Sequence, residues 1–242
     1  MTGTKFSDIT AVVVNWLSAE NTLRAIKSFR KYYPAIKLIV IDDDSRKEDE
    51  STFLINYNNS GNNPEKMFDP DTDKLKNLPN STFLQFPRHE HFGKGEGQCI
   101  DLAMQNMKTK WMFHFHSDYR FTKGGILEEL LGKVDDKTCA VGESKTKHPQ
   151  LQALTGVVEL VNVELGKEHK LSYKPVIYFD DGRTLPYPES PAGDGMPIAA
   201  GGYYSGRLSQ LGYKVIHLGE LGNKYGYHLR WDPERKKWNG TF

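Results

Sequence analysis

Three nearly continuous apolar runs, residues 10–16, 36–41 and 111–115, end on polar groups: Asn15 near the close of the first, Asp42-Asp43-Asp44-Ser45 after the second and His116-Ser117-Asp118 after the third. A strand that is apolar at almost every position is buried on both faces, and such strands belong to parallel sheets covered by helices on each side. The residues between the runs support that arrangement. After Ser18, a helix-capping residue, Leu23, Ile26, Phe29 and Tyr33 recur at helical spacing until Pro34 ends the helix. A third strand is predicted at 82–86. Beyond a glycine-rich turn at Gly93, Gly95 and Gly97, the residues Ile100, Ala103, Met104 and Met107 mark a helix that leads into 111–115. Ile126, Leu127, Leu130 and Leu131 give the next helix. Strands alternating with helices through short connections predict a mainly parallel, doubly wound α/β sheet over roughly the first 140 residues.

Further along, the pattern changes. Residues 138–141, 157–163 and 171–179 are strand-like, Asp181-Gly182 offers a tight turn, and a helix at 203–211 precedes a strand at 214–218, which together predict a mixed sheet. A short polar helix is predicted at 48–57, whereas 58–80, rich in Asn, Asp, Pro and Lys, has neither period and reads as a long surface insertion. The segment containing Trp231, Arg235-Lys236-Lys237 and Trp238 reads as a short solvated tail.

Charge narrows the choice of ligand. Lys and Arg number 32 against 31 Asp and Glu, so no whole-molecule field recruits nucleic acid or an anionic membrane, and an anionic ligand must be caught locally. The two cysteines, Cys99 and Cys139, stand in separate apolar segments and read as buried core thiols of a reducing compartment. No apolar stretch approaches the ~20 residues of a membrane span. The expectation is a soluble, cytoplasmic protein.

Ligands of open α/β sheets bind beyond the carboxyl ends of the strands. Four strand ends supply polar groups in chain order: Asn15, then 42–45, then Arg88 to Lys94, then His116, Ser117 and Asp118. Together they can set a carboxylate against a base or ribose hydroxyl, a cation near phosphate, and a metal ion between two phosphates, which describes a site for a nucleoside diphosphate.

In that order these segments resemble the nucleotide-binding half of family 2 glycosyltransferases of the GT-A fold. Ile39-Val40-Ile41-Asp42-Asp43-Asp44-Ser45 is similar to the family's V-V-D-D-x-S, His91-Phe92-Gly93 to its N-x-G, and His116-Ser117-Asp118 to its D-x-D. The resemblance implies a GT-A domain with a nucleotide-binding half over 1–135 and an acceptor-binding half over 136–242. It implies a hexosyltransferase-like enzyme that moves a sugar from a UDP- or GDP-type donor to a glycan, lipid-linked or small-molecule acceptor. It places the nucleoside on Asn15 and Asp43, with Asp42 and Ser117 beside them and Lys94 near phosphate. It places the metal on Asp118, with His228 completing the shell.

Two departures stand out. His116 occupies the first position of the D-x-D, as a ligand or as a strand-end histidine bonded to backbone; as a ligand it favours manganese over magnesium. His217, inside the late strand, reads as packing. Arg207-Leu208 and Gly212-Tyr213-Lys214 resemble a family segment preceded by an acidic pair, but Gly201-Gly202 stand where that pair falls. A general base for the acceptor hydroxyl must then come from elsewhere, with Asp194 first, Glu189 second, and Glu220 under a shifted register. A sugar nucleotidyltransferase and a non-catalytic nucleotide- or sugar-binding module are the alternative readings.

Overall fold

A computed structural model describes residues 6–16, 18–43, 72–86, 95–143, 154, 156–179, 183–186, 196–198, 200–219, 221–232 and 237–240. In chain order the elements are β1 (Ile9–Asn15), α1 (Ala19–Arg30), β2 (Lys37–Asp43), α2 (Asp73–Lys76), β3 (Ser81–Phe86), α3 (Gly95–Asn106), β4 (Trp111–Phe115) and β5 (Tyr119–Phe121). There follow α4 (Ile126–Leu131), β6 (Thr138–Gly142), β7 (Val158–Asn162), α5 (Val163–Glu168), β8 (Val176–Tyr178), β9 (Thr184–Pro186) and β10 (Met196–Ile198). The last are α6 (Gly202–Gln210), β11 (Lys214–His217), α7 (Leu221–Tyr225), β12 (Gly226–Asp232) and β13 (Lys237–Gly240).

The central sheet has seven strands in the order β11-β6-β7-β4-β1-β2-β3. β3, β2, β1 and β4 run parallel, and β7 runs against both of its neighbours, β4 and β6. The apolar runs thus occupy the middle of the sheet, where both faces are covered. The pleat divides them. Ile9, Ala11 and Val13 of β1, Leu38 and Val40 of β2, and Trp111, Phe113 and Phe115 of β4 join one core with Ile26 and Phe29 of α1. Val12, Val14, Ile39, Ile41 and Met112 join the opposite core with Cys99, Ile100, Ala103 and Met104 of α3. Both cysteines are buried and free.

Two smaller sheets, β10-β8-β9 and β13-β12-β5, complete the topology. The second corrects the expected solvated tail, because β12 pairs with β5 and with β13, setting Trp231 opposite Trp238. Three-residue strands such as β5 are too short to show a period in sequence. Within the predicted insertion, α2 forms around Leu75, which is fully buried; one anchoring side chain leaves no periodic trace. The segment 157–163 ends as a strand at Asn162, whose side chain accepts from the Leu165 amide and caps α5. His217 is exposed on the edge strand β11 rather than packed. The helix predicted at 48–57 and the Asp181-Gly182 turn lie outside the described residues. No helix among the described residues is long and apolar enough to cross a membrane.

Phe29 joins the layers. Its ring lies 5.7 Å from Phe113, 5.1 Å from Phe115 and 5.4 Å from Phe121, so one helical side chain holds β4 and β5 together. Phe29→Ala is expected to destabilise the fold by about 3–5 kcal/mol, read as a lower urea midpoint at unchanged slope.

Candidate metal and nucleotide site

The parallel register brings the carboxyl ends of β1, β2 and β3 together. Asn15 stands beside Asp42, and Asp42 beside Gln85. Asn15 Nδ2 donates to Asp42 Oδ1 at 2.8 Å, Gln85 Nε2 donates to Asp42 Oδ2 at 2.6 Å, and Thr22 Oγ1 donates to Asn15 Oδ1 at 2.7 Å. Asn15 and Asp42 are fully buried, so this network braces the strand ends from beneath. Asp43, the last residue of β2, faces α3. The Cys99 thiol pKa is pushed well above its ordinary value, first by burial and then by the charge and hydrogen bond of Asp43. Thr22 and Gln85 carry no sequence signal of their own; they are found only through the register.

β4 ends at Phe115. The His116 amide donates to the Val157 carbonyl at 3.1 Å, and the Tyr119 amide donates to the His116 carbonyl at 3.1 Å, which makes Ser117 and Asp118 the central residues of a turn. The chain re-enters regular structure at once as β5, and β12 pairs against it with His228 opposite Tyr119. The Leu229 amide donates to the Asp118 carbonyl at 2.9 Å. That ladder carries His228 Nε2 to 2.7 Å from Asp118 Oδ1. The ligand atoms of His116, Asp118 and His228 all lie within 4.8 Å of one another, on side chains 32%, 21% and 25% exposed. One carboxylate and two imidazoles suit a transition ion such as manganese better than magnesium, which prefers oxygen.

A buried cation holds this turn. Arg120 Nη1 donates to the carbonyls of Ser117 and Tyr119 at 3.1 and 3.0 Å, and Nη2 donates to Asn21 Oδ1 of α1 at 2.9 Å. Burial lowers its pKa, opposed by Tyr227 and Asp118.

Glu96 was invisible in sequence because the glycine-rich stretch reads as a turn, whereas the helix begins at Gly95. Gly97 makes that placement feasible: a Cβ there would stand 2.7 Å from Lys174 Cα and 2.8 Å from the Tyr173 carbonyl. Burial disfavours the charged form of both nearby histidines. It prevails at His116, whose pKa falls; at His114 the Glu159 hydrogen bond and the charges of Glu96 and Glu159 outweigh it, and the pKa rises.

One of the two positions where the acidic pair falls is sterically closed to a carboxylate. Gly201 has φ 79°, and a Cβ there would stand 2.5 Å from the Tyr173 ring, so no larger residue fits at that position. Asp194, Glu189, Glu220 and Lys94 lie outside the described residues.

No protein-family model matches the chain, and no curated protein matches it in sequence. Among solved structures, a mannosyltransferase from Pyrobaculum calidifontis in complex with GDP-Man and Mn2+ superposes with a TM-score of 0.52 at 11% identity, covering 88% of this chain and 55% of that one. The chain has a GT-A-type fold. TarS 1-349 of S. aureus follows at 0.44 and 13% identity, covering 68% of this chain and 50% of its own, and the bifunctional IspDF from Campylobacter jejuni at 0.45 and 9%, covering 87% and 49%. The chain therefore spans about half the length of the solved structures it matches. Only the first score exceeds 0.5, and at 11% identity it speaks to the GT-A architecture alone.

Removing the Arg120 cation while keeping its bulk strands the carbonyls it holds. Arg120→Met is expected to destabilise the fold by about 2–3 kcal/mol, measured by chemical denaturation.

Proposed function

We propose that this chain is a metal-assisted glycosyltransferase that takes its sugar from a UDP- or GDP-type nucleotide sugar. The observation that carries the reading is the meeting of His116, Asp118 and His228 at the end of β4, the central strand of a GT-A-type sheet. The mannosyltransferase from Pyrobaculum calidifontis, whose fold is similar, was solved with GDP-Man and Mn2+, which supports the same ligand class.

In this reading Asp118 is the principal metal ligand and His228 a second, with His116 beside them. Manganese is preferred and magnesium is the alternative. The ion would neutralise the diphosphate as the bond from sugar to phosphate breaks. Asp43 and Asn15 take the nucleoside at the ends of β2 and β1, with Asp42 beside them and the buried hydrogen bonds of Asn15 and Asp42 holding those strand ends in place. Ser117 lies beside the diphosphate and Lys94 supplies a phosphate contact. Residues 1–135 form the donor half and 136–242 the acceptor half, for a glycan, lipid-linked or small-molecule hydroxyl. Asp194 is the first candidate to deprotonate that hydroxyl, followed by Glu189 and Glu220; position 201 offers no base, because the glycine there has no side chain and the Tyr173 ring leaves no room for a larger one.

Calorimetry with UDP and GDP, with and without Mn2+, tests the reading. One nucleotide is expected to bind only with the ion. Asp118→Asn is expected to weaken that binding by more than the roughly 10–100-fold typical of outer-sphere changes. Equal metal-dependent affinity in wild type and Asp118→Asn overturns it.

A further inference from the structure

The pleat of β4 sets a second group of ligand atoms beside the first. His114 precedes His116 by one pleat repeat on the same face, with ring centroids 5.5 Å apart, and both histidines face Glu96 in the first turn of α3. Glu96 Oε1 stands 3.5 Å from His114 Nε2 and 3.6 Å from His116 Nε2. These separations are long for hydrogen bonds. They are ion-pair distances when the rings are protonated, and with the rings neutral they fit a shared ion, because two donors each about 2.0–2.1 Å from a tetrahedral zinc stand about 3.4 Å apart. All three ligand atoms lie within 4.8 Å of one another.

His114 is held from behind for such a role. Its strand partner across the β4–β7 ladder is Glu159, whose Oε1 lies 3.3 Å from His114 Nδ1. The Tyr173 hydroxyl donates to the same carboxylate oxygen. Asp101 of α3 fixes Tyr173 in turn, accepting its amide at 2.7 Å. In the neutral tautomer that a metal ion selects, Nδ1 donates to Glu159 and the Nε2 lone pair is available to an ion shared with Glu96. A carboxylate behind an imidazole is the usual means of orienting a metal-binding histidine. The His114 side chain is only 3% exposed, and its Nε2 has no hydrogen-bond partner. A buried imidazole nitrogen without a partner destabilises the fold unless something binds it.

We propose that Glu96, His114 and His116 hold a divalent transition ion of the zinc class, independently of any nucleotide, with water in the fourth position. Two imidazoles and one carboxylate form a ligand set suited to that ion, with one position open. His116 then belongs to this inner ion, and Asp118 with His228 remains for the ion on the diphosphate. The inner ion ties the start of α3 to the end of β4. The assignment does not depend on the donor-sugar reading.

The test uses the full chain stripped by chelator and titrated with Co2+ in the absence of nucleotide, because tetrahedral cobalt absorbs visible light far more strongly than octahedral cobalt. Wild type is expected to develop that absorption, and Asp118→Asn to retain it. His114→Gln and Glu96→Gln are expected to weaken cobalt binding at least about tenfold. The Glu96 side chain is 42% exposed, so its variant guards against a result caused by misfolding of the buried His114 variant. Absorption that vanishes in Asp118→Asn and persists in the other two variants overturns the proposal, as does failure of wild type to bind cobalt. Cobalt uptake with no nucleotide affinity would refute the donor reading and leave the inner site standing.

Discussion

β4 is the constraint on which the other features depend. Its pleat gives Trp111, Phe113 and Phe115 to one core and leaves Met112 and His114 on the other side, with His116 following just beyond the strand. The first set is anchored by Phe29 of α1 and fixes the strand in depth and rotation. Only because that face is fully apolar can the other face carry two histidines in a defined direction. A slip of one residue in register would exchange the two faces, burying imidazoles among phenylalanines.

The second face depends on a shorter chain of contacts that converges on Tyr173. Its ring and carbonyl crowd Gly201 and Gly97, its hydroxyl meets Glu159, and its amide meets Asp101. Two glycines far apart in sequence are thus required for one reason, the close approach of the same buried residue. The start of α6, the start of α3 and the back of His114 are all set by where Tyr173 sits.

The middle strands were legible because burial on both faces leaves a compositional mark that survives without any knowledge of partners. The helices α1 and α3 showed their apolar spacing for the same reason. Asp118 was visible as a strand-end carboxylate and His228, beyond the late strand, only through the family resemblance; the structure brings them within hydrogen-bond distance. What sequence could not show were features made by pairing alone. β5 has three residues, and β12 and β13 look like a charged tail until they meet each other. Glu96 was hidden because glycines on either side of it suggested a turn, and His114 because one histidine inside an apolar run reads as part of the run. Arg120, Thr22 and Gln85 act entirely through neighbours distant in sequence.

The contact between Asp118 and His228 closes a loop of 110 residues. On a flexible-chain estimate the length-dependent part of that closure costs about 4 kcal/mol in entropy. No local preference offsets it; the central sheet must first bring β5 and the segment after α7 together, after which the ladder sets the final register. An ion bridging these two side chains therefore cannot nucleate folding. Such an ion would act as a late latch, binding only a chain whose distant ends of the loop have already found one another, and so distinguishing a finished fold from one whose sheet has formed without its closing strands.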